Sequence, residues 1–247
     1  MKGKYFADLF SGSGVGASAA VRSGFAARMW EKSRQPLKED LTKRSVKSKL
    51  KRDIRRGKVL ASMLAPPCRS FSTARMRTSV IRSAAQPWGR WTADLTERDR
   101  QDLTEGNQLA NTCLSLMHDL FVAGVPFCLE HPSSSFLWKT FEVQQWMKKK
   151  NVYVVSLDQC QWQARWRKST TLMFALVSPE DIEKFHRKCG GRGGWCPKHR
   201  RYHLRLEGHA PNGKSWTSIA SEYPQSLARD IVNTLCAETL ARQTYNS

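Results

Sequence analysis

Short apolar runs alternate with amphipathic stretches through most of the chain. Residues 5–10 make a strand that runs into Ser11-Gly12-Ser13-Gly14-Val15-Gly16 and an alanine-rich helix, which Gly24 stops. A second apolar run, 25–30, ends on Glu31. Between 43 and 58, Val46, Leu50 and Ile54 recur at every fourth position, the spacing of an amphipathic helix. Val59–Leu64 is continuous enough for a buried strand and ends in Ala65-Pro66-Pro67-Cys68. The polar stretch 69–104 reads as a long loop, of the kind that is functional or disordered. A helix follows with Leu109, Cys113, Leu116 and Leu120 along one stripe. Strand 125–129 leads into Glu130-His131-Pro132, and 152–157 and 171–177 are two further strands. Residues 178–220 break the rhythm, and Leu227, Ile231 and Leu235 mark a closing helix. Strands alternating with helices predict a parallel α/β sheet. The division is a core over 1–177, an insert over 178–220 and a closing helix of the core over 221–247.

Charge changes the picture more than length does. The 247 residues suffice for one sizeable core and a small appendage. With 41 Lys+Arg against 21 Asp+Glu the formal charge is +20, which points to a polyanionic partner, nucleic acid being the commonest. An anionic membrane surface, an acidic protein, or mere solubility would also account for it. The helix over 43–58 carries nine Lys/Arg and a single Asp, so its outer face is cationic, either solvated or against phosphates. Five Arg lie from Arg69 to Arg90, and eight basic residues without an acid from Lys184 to Arg205. The seven cysteines are an odd number, no secretory leader precedes the first strand, and no apolar run reaches spanning length. Those features place reduced thiols in an intracellular protein, nuclear if its host is eukaryotic and cytoplasmic otherwise.

Three segments with chemical potential all begin where an apolar strand stops, the place where open α/β sheets bind ligands. The glycine loop lets backbone approach a cofactor and presents helix N-terminal amides. Glu31, at the next strand end, is placed to bond ribose hydroxyls. Taken alone, such a turn fits NAD, FAD, SAM or tight packing. Asp8-Leu9-Phe10-Ser11-Gly12-Ser13-Gly14, then Pro66-Pro67-Cys68 with Ser70-Phe71-Ser72, then Glu130-His131-Pro132, resemble in order and placement the first, catalytic-loop and Glu-Asn-Pro motifs of the DNA cytosine-5 methyltransferases. The resemblance runs from about residue 5 to 177.

That resemblance implies an α/β fold of the class I SAM-dependent methyltransferases, a Rossmann-like sheet here carrying a small basic C-terminal insert. It implies S-adenosylmethionine (SAM) as cofactor, held by Asp8, Phe10, Gly12, Gly14, Gly16, Glu31 and Pro66. Cys68 is the implied nucleophile, Glu130 the carboxyl group against ring nitrogen 3 of cytosine, and Arg165 of Gln163-Ala-Arg165-Trp-Arg167 the contact to the base or its backbone. Trp162 with Lys168 and Thr170 could instead carry that strand's contacts. The residue types suit the chemistry. Carbon 5 is a poor nucleophile until a soft thiolate adds to carbon 6, and a positive field, for which Arg69 and Arg75 are candidates, favours the thiolate. The ring is unreachable inside a duplex, so the base flips out. DNA is the implied partner, across the 43–58 helix, the loop from Arg69 to Arg90 and the stretch from Lys184 to Arg205, with RNA as the alternative.

The chain departs from the family in four places. His131 stands for the asparagine that orders the catalytic loop, and Asp40 is the one stand-in for the third motif. Ala220-Ser-Glu-Tyr223-Pro224 and the last helix occupy the place of the closing motif. A full target-recognition domain does not fit, as in the short versions of mobile elements and viruses. Residues 178–220 take that place, and within them Cys189, Cys196, His199 and His203 can hold zinc, with His186 to spare; the alternative is a glycine-rich basic loop. Two other functions stay open: a transfer-RNA cytosine-5 methyltransferase with the same motifs, and a catalytically silent nucleic-acid-binding protein on the same fold.

Overall fold

The computed structural model describes residues 3–77 and 79–244. Six strands form one sheet: β1 (Tyr5–Leu9), β2 (Ala27–Trp30), β3 (Val59–Leu64), β4 (Phe127–Pro132), β5 (Val152–Asp158) and β6 (Ser169–Ala175), in the order β2-β1-β3-β4-β6-β5. The first four run parallel to one another, and β6 runs antiparallel to both β4 and β5. The wholly parallel sheet expected from the alternation is thus corrected at its far edge. Length is the reason: only residues 159–168 separate β5 from β6, and a parallel return needs a crossover of about a dozen residues or more.

Helices cover both faces. On one side lie α3 (Arg44–Arg55), α4 (Glu97–Val122) and α5 (Phe141–Met147), whose Leu50, Ile54, Leu116, Leu120 and Val143 share a core with Leu9 and Phe127. On the other, α1 (Val15–Arg22) and α7 (Gln225–Thr244) bury Ala20, Leu227, Ile231 and Leu235 against Phe6, Met63 and Phe174. The short α2 (Pro36–Glu39) and α6 (Trp216–Ile219) stand at the rims. Residues 178–220 also hold a two-stranded ribbon, β7 (Trp195–Cys196) with β8 (Arg201–Tyr202). Among the described residues no helix is long and apolar enough to cross a membrane.

The stretch 69–104 is less of a loop than its polarity suggests. Its last eight residues belong to α4, started by a capping box in which Asp99 N donates to Thr96 Oγ1 at 3.1 Å and Thr96 N to Asp99 Oδ2 at 3.4 Å. The rest folds around Arg82, 1% exposed, which donates to Ser70 O at 3.1 Å, Pro87 O at 2.8 Å and Asn107 Oδ1 at 2.9 Å. Its guanidinium also lies 3.7 Å from the Phe71 ring centroid. From β1 the chain moves outward to β2 and then returns to β3 on the other side. Such a switch opens a crevice at the carboxyl ends of β1 and β3.

Candidate active site

The glycine loop is shaped by close approach. Phe10 leaves β1 at φ 58° and Gly14 sits at φ 74°, both left-handed, so the chain turns sharply at the strand end. A Cβ on Gly14 would run into Met29 Sδ, and one on Gly16 would come within 2.9 Å of the Asp8 carboxylate. That carboxylate is buried and accepts Ala17 N at 2.8 Å, holding the first turn of α1. Burial raises its pKa to about 7; the Ala17 bond opposes the rise and the charge of Glu31 adds to it. Asp8 is therefore built into the floor of the loop.

A cavity of about 360 Å³ opens beside it, with Phe10, Trp30, Glu31, Asp40, Leu41 and Pro67 in its lining. Glu31 braces the loop, its Oε2 accepting Gly12 N at 2.9 Å and its Oε1 accepting Ser33 N at 3.1 Å and Ser33 Oγ at 2.9 Å. Asp40 accepts Thr42 N at 2.9 Å and Thr42 Oγ1 at 2.6 Å. Pro67, not the buried Pro66, forms the wall on the side of Cys68.

Cys68 follows β3 in a tight turn, its carbonyl accepting Phe71 N at 3.0 Å and Ser72 N at 2.8 Å. The thiol is half-buried. Burial raises its pKa, the charge of Lys168 pulls it down, and that of Glu130 pushes it up. The field expected from Arg69 and Arg75 is spent elsewhere. Arg69 Nε is 3.6 Å from Asp102, and Arg75 Nη2 is 2.7 Å from Asp99 and 3.1 Å from Asp102. Lys168 takes their place at the thiol.

Glu130 is buried on β4, with Tyr223 OH donating to its Oε2 at 2.6 Å. Its other oxygen, Oε1, is buried without a hydrogen-bond partner. Burial raises the Glu130 pKa against the pull of Lys168 and Tyr223, which favours the protonated carboxyl group. His131, on the opposite face of the strand, is 1% exposed. Burial and Lys168 push its pKa down to about 3 while the Pro66 backbone acts the other way, so the imidazole is neutral. Neither ring nitrogen has a hydrogen bond of ordinary geometry. The ring stands edge-on to Phe71 at 6.1 Å and to Trp138 at 6.3 Å. Aromatic packing thus ties the turn after Cys68 to β4.

Arg165 is exposed and shares a cleft of about 440 Å³ with Trp162, Trp166, Trp216 and Tyr223. Tyr223 joins this cleft to Glu130. Arg167 pairs with Asp158 at 3.1 Å, and Lys168 Nζ donates to Ala220 O at 3.1 Å. Of the residues weighed for this strand, Lys168 is the one whose charge reaches Cys68, Glu130 and His131. Thr170 is buried, accepting Gln159 Nε2 at 3.1 Å. Tyr223 was not foreseen as a site residue; its only signal was its place in the segment standing where the family's closing motif lies.

The thiols and imidazole of the insert gather differently from expectation. Ligand atoms of Cys160, Cys189, Cys196 and His203 all lie within 4.8 Å of one another. His199 is turned aside, its Nε2 2.7 Å from the carbonyl oxygen of Cys160. Cys160, in the short turn just after β5 and 29 positions before Cys189, gave no spacing signal. All eight cations from Lys184 to Arg205 are exposed. The other two basic stretches are placed less openly. Arg75 and Arg82 are engaged internally, and Asp53, late in α3, accepts Tyr5 OH at 2.8 Å. Tyr5 begins β1, so that end of α3 lies at the amino ends of the strands, away from Cys68.

No family model and no curated sequence matches the chain. Among solved structures it is similar to EhMeth, a methyltransferase of Entamoeba histolytica, at 11% identity over 99% of this chain and 97% of that one, with a TM-score of 0.39. A likeness at that score carries no weight for the site or its chemistry.

Proposed function

We propose that the protein is a SAM-dependent DNA cytosine-5 methyltransferase with Cys68 as its nucleophile, on a fold of the class I methyltransferases. The observation that carries the reading is the pairing of a strand-end thiol with a buried carboxyl group, Glu130, which keeps one oxygen without a partner. A buried polar atom without a partner costs roughly 1–3 kcal/mol, a cost that a hydrogen bond from the protonated carboxyl group to ring nitrogen 3, which accepts, would relieve. Burial raises the Glu130 pKa and so favours the protonated form, which can donate there while the Cys68 sulfur bonds to carbon 6. Carbon 5 then takes a methyl group and loses its proton, and the carbon–sulfur bond breaks to restore the ring and the thiolate. The cavity beside the glycine loop fits the cofactor: Phe10 and Trp30 are apolar walls for an adenine, and Glu31 and Asp40 are carboxylates for ribose hydroxyls. SAM, when bound, supplies the electrophilic methyl group. Lys168 lowers the thiol pKa against burial, and Tyr223 orients Glu130. The Arg165 cleft and the eight exposed cations between 184 and 205 are the surface for DNA around the flipped base.

An oligonucleotide carrying 5-fluorocytosine tests the nucleophile, because fluorine blocks the last elimination. A SAM-dependent covalent adduct is expected with the wild type and none with Cys68→Ser; an adduct in the variant would put the nucleophile elsewhere. Tritiated SAM offered with separate DNA and RNA pools should label DNA. Label in RNA alone would move the substrate to transfer RNA or its like, and SAM binding without transfer would leave a silent binding protein.

A further inference from the structure

We propose that Cys160, Cys189, Cys196 and His203 form a structural zinc site that fastens the basic insert to the loop between β5 and β6. All four ligand atoms lie within 4.8 Å of one another, and the two pairs formed by Cys189 match the edges of a tetrahedron around one ion. Zn–S bonds of about 2.3 Å put two sulfurs about 3.8 Å apart, and a Zn–N bond of about 2.0–2.1 Å puts sulfur and nitrogen about 3.6 Å apart. Cys189 Sγ lies 3.9 Å from Cys196 Sγ and 3.7 Å from His203 Nε2. The two sulfurs are too distant for a disulfide, which holds them at about 2.05 Å. Three thiols and one imidazole make a closed set, typical of structural zinc and without the open position that catalysis needs.

The surrounding backbone is built to this end. A Cβ on Gly191 would collide with the carbonyl of Trp195, so glycine is what lets the chain double back from Cys189 to Cys196. His203 N donates to Gly194 O at 2.8 Å, closing the ribbon beneath the fourth ligand. Cys189 N donates at 2.9 Å to Asp158 Oδ2, the oxygen that also holds Arg167. Across residues 186–215 only Cys189, Cys196 and Ala210 are buried, so the segment has no apolar core and metal coordination supplies the missing stability. Cys160 supplies the attachment. It lies in the short turn 159–162 that leaves β5, and the loop this turn opens closes at Lys168, whose carbonyl accepts Gln159 N at 3.0 Å. The ion thereby joins the cationic ribbon to the loop that ends at Lys168.

The test uses the full chain, purified without chelator, and reads metal by elemental analysis, a measurement that needs neither SAM nor DNA and so stands or falls apart from methyl transfer. One zinc per chain is expected, falling several-fold in Cys160→Ser and Cys196→Ser and holding in His199→Ala. Should the serine variants fail to fold, the wild type exchanged into Co(II) reports the ligands directly. A strong thiolate-to-cobalt charge-transfer band with tetrahedral d–d bands supports three sulfurs, and an octahedral, thiolate-free spectrum overturns the site. Stripping the ion should expose the segment from Arg187 to Arg205 to trypsin before the rest of the chain. A metal-free chain equally resistant to trypsin, a Cys189–Cys196 disulfide found by mass spectrometry, or zinc kept in Cys160→Ser and lost in His199→Ala would each defeat the proposal.

Discussion

Asp8, Glu130 and His131 are all withdrawn from water near strand ends, and their protons leave a record in stability. Asp8 titrates at about 7 in the folded chain and at about 3.9 unfolded, so between those values the folded state binds more protons and stability falls as pH rises. His131 titrates at about 3 folded against about 6.5 unfolded, so there the unfolded state binds more and stability rises with pH. The two slopes oppose each other between about pH 4 and 6.5, each near 1.4 kcal/mol per pH unit, with the raised Glu130 on the side of Asp8. Urea midpoints measured across that window should climb more with pH in Asp8→Asn than in the wild type and fall more in His131→Asn; parallel profiles would refute both assignments. The same accounting applies to the thiol. Lys168→Met removes the one charge that lowers the Cys68 pKa, so alkylation of Cys68 by iodoacetamide should slow at pH 8 and its midpoint should move up. An unchanged profile would take Lys168 out of the site. Tyr223→Phe leaves a buried Glu130 oxygen without its donor, which costs about 1–3 kcal/mol, so the adduct should form about tenfold more slowly with SAM affinity unchanged.

Helix α4 carries a glycine at its middle for a reason that lies outside the helix. A Cβ on Gly106 would overlap Ser70 Oγ and press on Arg82, the two residues that fix the turn after Cys68. Alanine is the better helix former by about 1 kcal/mol, yet Gly106→Ala should lower the melting temperature and slow adduct formation by displacing that turn. A melting temperature above the wild type's would mean the turn yields freely. Elements of this kind mark where sequence pattern stops informing. β3 was legible to the residue because Val59–Leu64 is an apolar run, broken only by the small Ser62, between a turn and two prolines. The buried face of α3 was legible because Val46, Leu50 and Ile54 keep helical period. The start of α4 was hidden by polar residues, although Thr96 and Asp99 carried the capping signal. The direction of β6 was hidden because apolar period does not encode orientation; the ten-residue spacing to β5 did. Of the site, Cys68 and Glu130 were legible as motif residues at strand ends. Lys168 was legible as one of the alternatives to Arg165 on its strand; Tyr223 and Cys160 were not, since each reaches its partners through a distant pairing that local pattern does not carry.

Over the whole molecule the charge of +20 is unevenly available. The cations of the ribbon are exposed beside the loop of Arg165, whereas late α3 lies at the opposite ends of the strands. Arg200→Gln with Arg201→Gln should weaken DNA binding and reduce its log–log salt slope by about 2, one phosphate contact being worth about 0.9. The matching pair on late α3, Arg52→Gln with Arg55→Gln, should leave the slope unchanged, and equal losses from both pairs would make binding a matter of total charge. The sheet's other face has a consequence for how the chain is made. Phe6, in the first strand, is covered by Leu227, Ile231 and Leu235 of α7, and Thr239 Oγ1 donates to Leu60 O at 2.8 Å. Translation delivers the strands long before it delivers their cover. For most of its synthesis the nascent chain therefore presents a half-wet hydrophobic sheet to its surroundings, a client surface for ribosome-associated chaperones, and native closure waits until α7 has cleared the exit tunnel.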